Sequence, residues 1–213
     1  MLIFFFKTYK SKSMNNVKIK SKLLLLLFSL SGYCQNENIV SLGINVIDDS
    51  FTSTYNPINI SETWHIGKIP SYFSFSKKVI DRTFLEIQIL SNNYKKGKLV
   101  DGSILLTEKK YLSVDLFTKY RIFHSDEDTY SFDPFVALGT GYTSIGKTEH
   151  YTLNYGLGLY FWFPKSKYCD CSYNRSKRGN LGILISTFGK SSFKQSIYGN
   201  QIQHTLGLVY RFK

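Results

Sequence analysis

The sequence predicts an all-β chain that closes into a barrel, and three observations carry that prediction. About eight segments within residues 35–213 alternate apolar and polar side chains with a period of two, and helical spacing is sustained nowhere. Aromatic residues make up 16% of the chain, as 17 Phe and 16 Tyr against only 2 Met, and they gather at segment ends. The segments run about 9–13 residues, which matches the roughly 9–11 that a tilted strand needs to cross a bilayer. The predicted fold is an eight-stranded antiparallel up-and-down transmembrane β-barrel preceded by a cleaved signal peptide.

Residues 1–34 read as the signal peptide. Lys18, Lys20 and Lys22 form a positive n-region, Leu23 to Leu30 an apolar h-region, and Gly32 and Cys34 the small positions before a cleavage site. The apolar run is too short for a spanning helix. Acylation of Cys34 is disfavoured by bulky Tyr33 just before it. Residues 1–13 are read as an upstream extension from a misplaced start, since Met14 alone begins a complete signal. Loss of residues 1–34 removes six lysines and no acid, which lowers the formal charge from +12 to +6. With no block of Lys and Arg interleaved with stacking aromatics left, nucleic acid is not an expected partner.

The strands are expected at 39–47, 72–80, 84–93, 112–122, 132–144, 151–163, 180–190 and 201–212. The last is the clearest: Ile202, His204, Leu206, Leu208, Tyr210 and Phe212 share one face, and Gln203, Thr205, Gly207, Val209 and Arg211 the other. The sixth sets Leu153, Tyr155, Leu157, Leu159, Phe161 and Phe163 against Thr152, Asn154, Gly156, Gly158, Tyr160 and Trp162. In the fourth, Leu112, Val114 and Leu116 oppose Ser113, Asp115 and Phe117. The second is the least regular and the one whose register is hardest to read.

Two arrangements satisfy such alternation. A soluble barrel or sandwich would turn the apolar face inward; a transmembrane barrel turns it toward lipid and lines a lumen with the polar face. The polar faces here carry Gly, Asn, Ser, Thr and isolated charges rather than dense Lys and Glu, and aromatics mark the strand ends. Both features favour the inverted arrangement. It places Glu86, Asp115, Lys119, Arg121, Lys190 and Arg211 inside, where an eight-stranded interior is filled by side chains and unpaired charges are costly. They are expected to form a structural ion-pair network; a charged conduit for solutes is the alternative reading.

The closing stretch resembles the assembly signal of bacterial outer-membrane barrels: polar Thr205, then Gly207, with Tyr210 and Phe212 as the aromatic pair and Lys213 as one residue beyond it. Stretches 44–51, 62–67, 94–102, 133–143 and 153–156 extend the likeness over nearly the whole mature chain. As an ordered set they resemble the barrels related to the N-terminal domain of outer-membrane protein A, in the version common in Bacteroidota. The resemblance implies both termini in the periplasm, insertion by the barrel-assembly machinery, and the outer membrane of a Gram-negative bacterium as the location. No peptidoglycan-binding domain is expected after the barrel. The partners expected are outer-membrane lipid and the assembly machinery, with the protein a monomer.

That topology puts outer loops at about 50–70, 95–110, 146–150 and 191–200, and inner turns at about 80–82, 124–131 and 164–179. The last turn is basic and holds Cys169 and Cys171. It is read as a solvated insertion, with a periplasmic contact through 164–179 as the functional alternative. A disulfide across one intervening residue would be strained, and two thiols without His neighbours make a poor zinc site.

No catalytic, cofactor or metal site is expected. His65, His124 and His150 fall in expected loops or turns without ligand partners at metal-binding spacing. His204 faces outward near the outer rim. Lipid deacylases of the outer membrane, of similar size, pair an outward His with a Ser two residues on; here that position is Leu206, so the motif fails. There is no G-x-S-x-G, P-loop or Rossmann pattern, and the glycine pairs at 139/141 and 156/158 lie within strands, where they let a narrow lumen close. The function expected is a structural outer-membrane barrel whose surface loops serve envelope integrity or surface contacts. A narrow pore, a lipid-modifying enzyme and a soluble lipocalin-like binder are the alternatives.

Overall fold

The computed structural model describes residues 37–49, 60–100, 103–123, 131–164, 178–193 and 200–212. Eight long strands form the wall: β1 (Asn38–Asp48), β3 (Tyr72–Ile80), β4 (Thr83–Tyr94), β7 (Lys109–Arg121), β8 (Phe132–Ile145), β9 (Thr148–Pro164), β10 (Arg178–Ser192) and β11 (Asn200–Phe212). Each pairs antiparallel with its sequence neighbours, and β11 returns to β1, from Asn38↔Phe212 to Asp48↔Ile202. Each of the eight wall strands is paired on both sides, so the backbone polar groups of the wall are satisfied within it. This is a closed eight-stranded antiparallel barrel.

Burial follows the alternation along most of the wall. The outward rows carry Leu42, Phe73, Ile87, Leu116, Leu138, Leu157, Ile185 and Leu208, one from every wall strand, and Leu157 is 63% exposed. The inward rows carry Ser, Asn, Gln and the charged residues, with Asp115 at 0%. A protein packed for water does the reverse; this wall is built for an apolar surround. Two aromatic girdles bound the apolar band. At the end where β1 begins and β11 finishes, Phe132 packs on Phe161 at 5.0 Å and Tyr210 stacks with Phe212 at 6.3 Å. At the far end Tyr142 meets Tyr151 at 5.7 Å.

Three expectations change. First, the loop expected at 146–150 shrinks to a two-residue turn at 146–147, where Gly146 takes a positive φ of 61°. Only a residue without a Cβ adopts that conformation freely, and β9 therefore starts early and carries His150 into the wall. Second, the loop expected at 50–70 holds a helical turn, α1 (Ile60–Thr63), and a short strand, β2 (Trp64–Ile66), which pairs with β1 where β3 leaves off. His65 thus sits in a strand and is fully buried. Third, the loop expected at 95–110 folds into a small hairpin of β5 (Leu99–Val100) and β6 (Ser103–Ile104), and β7 begins at Lys109. Together β2, α1 and the hairpin make a cap over the far end, tied by Lys98 Nζ donating to the Trp64 and Ile60 carbonyls. The signal peptide at 1–34, His124, Lys213 and the Cys169/Cys171 turn lie outside the described residues.

Candidate functional site

The chemistry-bearing side chains collect in the lumen, because parity turns every second residue inward and an eight-stranded interior is narrow enough for them to meet. Glycines make the room. A Cβ at Gly139 or Gly156 would run into backbone of the neighbouring strand and into the Phe117 or Phe188 ring. Those two rings meet at 4.6 Å across the middle of the lumen.

On the terminal side of this aromatic floor lie two ionic clusters. At the mouth, Arg121 Nε donates to Asp133 Oδ2 at 2.6 Å and Arg121 Nη1 to Glu37 Oε1 at 3.1 Å, while Arg211 approaches the same Glu37 at 3.7 Å. The two guanidinium groups lie against rings, Arg121 at 4.8 Å from Phe84 and Arg211 at 5.2 Å from Trp162. One layer deeper, Lys119 Nζ donates to Glu86 Oε2 at 2.6 Å and to the Tyr160 hydroxyl at 3.1 Å. Ser76 donates to the same carboxylate, and Gln88 donates to its other oxygen.

On the far side of the floor, Lys190 Nζ reaches Asp115 Oδ2 at 2.6 Å and Ser113 Oγ at 2.7 Å, and Asn154 and Ser113 donate to Asp115 Oδ1 at 2.9 and 3.0 Å. Above them Tyr94 donates to Gln201 at 2.6 Å and Gln201 donates to Tyr111 at 2.8 Å, a bridge from β4 through β11 to β7. In the Glu86–Lys119 and Asp115–Lys190 pairs opposite charge is thus joined by neutral hydrogen bonds, the arrangement that offsets desolvation.

All six charged residues expected inside do face the lumen, and the structure brings them together as Glu86–Lys119, Asp115–Lys190 and Arg121 beside Arg211. The last two are bridged by Glu37, and Asp133 pairs with Arg121; the sequence reading left out both acids. Asp133 shares parity with Phe135 and could have been assigned inward; Glu37 stands one residue before β1, where alternation gives no signal. Of the expected assembly signal, Thr205 faces the lumen against the Ser186 hydroxyl, Gly207 faces Gly43 across the β1–β11 seam, and Tyr210 and Phe212 point outward.

Two histidines outside the lumen network are placed distinctively. His65, in the cap, accepts from the Lys95 amide at Nδ1 (2.9 Å) and lies 4.5 Å from the Tyr94 ring. Burial first, then the charges of Lys98 and Lys95, push its pKa down to about 4. Asp49 Oδ2, 3.7 Å from Nε2, is too distant to reverse this. His204 faces outward: its Nδ1 lies 2.9 Å from Thr187 Oγ1, its Nε2 3.5 Å from Asp48 Oδ2, and its ring 5.2 Å from that of Trp64. A hydroxyl, an imidazole and a carboxylate in series have the form of a nucleophilic relay. The strand amides around Thr187 are committed to ladders on both sides, so no donors converge where an oxyanion would form. Among the described residues no three His, Cys, Asp or Glu side chains group as a metal site.

No family model and no curated protein sequence matches the chain. Among solved structures it is similar to the outer membrane protein OprG of Pseudomonas aeruginosa, at 12% identity and a TM-score of 0.54, over 85% of this chain and 98% of that one. It is also similar to the N-terminal β-barrel domain of Pseudomonas aeruginosa OprF (14% identity, 84% and 98% covered, TM-score 0.48) and to Neisserial surface protein A (12%, 84% and 97%, 0.47). At these identities the likeness to OprG carries the fold: this chain is a closed, eight-stranded antiparallel barrel of the kind found in outer-membrane proteins.

Proposed function

We propose that the protein is a structural outer-membrane barrel, exported through residues 1–34 and set in the membrane with both chain ends in the periplasm. The OmpA-type barrels of Bacteroidota are the relatives its motifs favour. The wall sets the far-end loops above the membrane, and those loops carry its contacts in the envelope or at the cell surface. The observation that supports this reading most is the filled lumen. Glu86–Lys119 and Asp115–Lys190, both pairs at 2.6 Å, lie on opposite sides of the packed Phe117 and Phe188 rings. A solute would have to break buried ion pairs, at several kcal/mol each, before it could pass. The exposed apolar band argues against the soluble binder, and the missing oxyanion donors argue against the lipid-modifying enzyme.

One experiment tests both halves of the reading. The purified membrane fraction is run in SDS unheated and boiled, and the same protein is placed in planar bilayers. A closed barrel keeps its backbone hydrogen bonds internal and resists SDS until heated, so a mobility shift is expected. In the bilayer the wild-type protein is expected to be silent. Steady conductance that changes on Asp115→Asn or Arg121→Gln would replace this reading with the pore. A protein found in the soluble fraction, with no shift, would overturn it.

A further inference from the structure

The outward rows of β4 and β7 change character at the far end. On β4, Ile87 and Ile89 give way to Ser91, Asn93 and, one residue past the strand, Lys95; on β7, Val114 and Leu112 give way to Lys110. Asn93 stands opposite Lys110, so the two lysines top adjacent rows, and Lys96 follows in the turn. All three are exposed, and among the described residues none of their ammonium groups pairs with a carboxylate, that of neighbouring Glu108 included. Lys98 adds a fourth charge, with its Nζ committed to the Trp64 and Ile60 carbonyls. Burial first, then the charge of Lys95, lowers the Lys98 pKa. The β5–β6 hairpin that joins these two strands has an apolar outer side: Ile104 is 64% and Leu106 78% exposed, while Val100 and Leu105 are buried. Leu105 accepts from the Gly97 amide and donates to the Lys98 carbonyl, which sets Leu106 at the foot of the hairpin, next to the Lys95–Lys96 turn.

We propose that Lys95, Lys96 and Lys110 bind the anionic phosphate of an outer-leaflet lipid, with Ile104 and Leu106 lying against the same lipid layer. The proposal rests on the membrane placement proposed above and names one contact of the far-end loops. Charge selects an anion: three ammonium groups, crowded by a fourth and answered by no carboxylate, are stabilised by a phosphate. Position selects lipid as its source. Lys95 and Lys110 continue the rows of the apolar band, and Tyr142 of the aromatic girdle stands opposite Val114. Lys110 therefore lies two rows beyond the girdle, on the headgroup side. A lysine there lays its methylene stem along the wall and its ammonium among the headgroups. A dissolved anion would satisfy the lysines and leave Ile104 and Leu106 in water; a lipid layer covers both.

The test uses the full mature protein in detergent micelles with equal amounts of dimyristoyl phosphatidic acid and dimyristoyl phosphatidylcholine, examined by native mass spectrometry beside the heat-shift gel. Wild type is expected to retain phosphatidic acid in preference to phosphatidylcholine. Lys95→Gln and Lys110→Gln are each expected to lower that preference about fivefold, the factor one basic residue confers beside an anionic lipid surface. Lys95→Arg combined with Lys110→Arg is expected to keep it. Lys147→Gln removes an exposed lysine in the β8–β9 turn at the same end and is expected to change nothing. Excess inorganic phosphate is expected to leave the lipid bound; complete displacement would overturn lipid as the source. A normal heat shift with equal retention of the two lipids by wild type, or with an unchanged preference in both glutamine variants, overturns the proposal and leaves the barrel reading standing. Loss of the heat shift in wild type overturns both.

Discussion

Asp115 and Lys190 lie 75 positions apart in sequence and meet in the interior with no exposure of either charged group. Truncating one of them leaves the other as a buried charge, which costs about 3–5 kcal/mol. Lys190→Met is therefore expected to lower stability by about 3 kcal/mol, because Asn154 and Ser113 still donate to Asp115 and hold the loss at the low end. Asp115→Asn combined with Lys190→Met removes both charges and is expected to recover most of that loss. Urea unfolding in lipid vesicles reads both values, and equal destabilisation by the single and double variants would show that the pair contributes little as a pair. The side chain that packs the wall from outside behaves differently: Leu138 has no partner to strand, and its truncation is expected to be mild.

At the scale of elements, the wall and the cap respond to different conditions. The cap hangs on His65, whose Nδ1 accepts the Lys95 amide and whose neighbour Asn92 donates to its carbonyl at 2.8 Å. With a folded pKa of about 4 against 6.5 when unfolded, the open cap binds a proton that the closed cap excludes. Cap stability is thus complete above about pH 6.5, falls as pH drops from there toward 4, and levels off below, once both states are protonated. The protection factor of the Lys95 amide, its exchange rate referred to that of the open chain at the same pH, is expected to fall with acid in the wild type and to lose this pH dependence in His65→Asn.

The elements also differ in how legible they were. All eight wall strands could be read to within a few residues, since a period-two row of Leu, Ile and Phe marks a face whatever lies beyond it. The cap could not: β2, β5 and β6 are two or three residues long, too short for any period to show. The turn at 146–147 was hidden because Thr148 and Glu149 read as loop residues, while it is Gly146 that shapes the turn. In the lumen, parity named which charges point inward but not which meets which, since partners such as Lys119 and Tyr160 are set by the curvature of the closed wall. Glu37 lay outside any alternating row.

For the whole molecule the decisive feature is the β1–β11 seam. Every other ladder of the wall joins successive wall strands; this one joins 38–48 to 202–212. At its centre Gly43 stands opposite Gly207, and a Cβ on Gly43 would strike the backbone at Leu206 and Gly207. Backbone does not move aside as a flexible side chain does, so Gly43→Val is expected to obstruct closure, seen as a smaller heat-shifted fraction after refolding into vesicles. The seam also imposes a schedule. The first strand has no partner on one side until the last has been delivered, so for the entire passage of the chain one edge stays unpaired and open to the wrong neighbour. Until closure, that waiting edge is where a wrong neighbour would add, and covering it guards the molecule at the one stage when its ladder is incomplete.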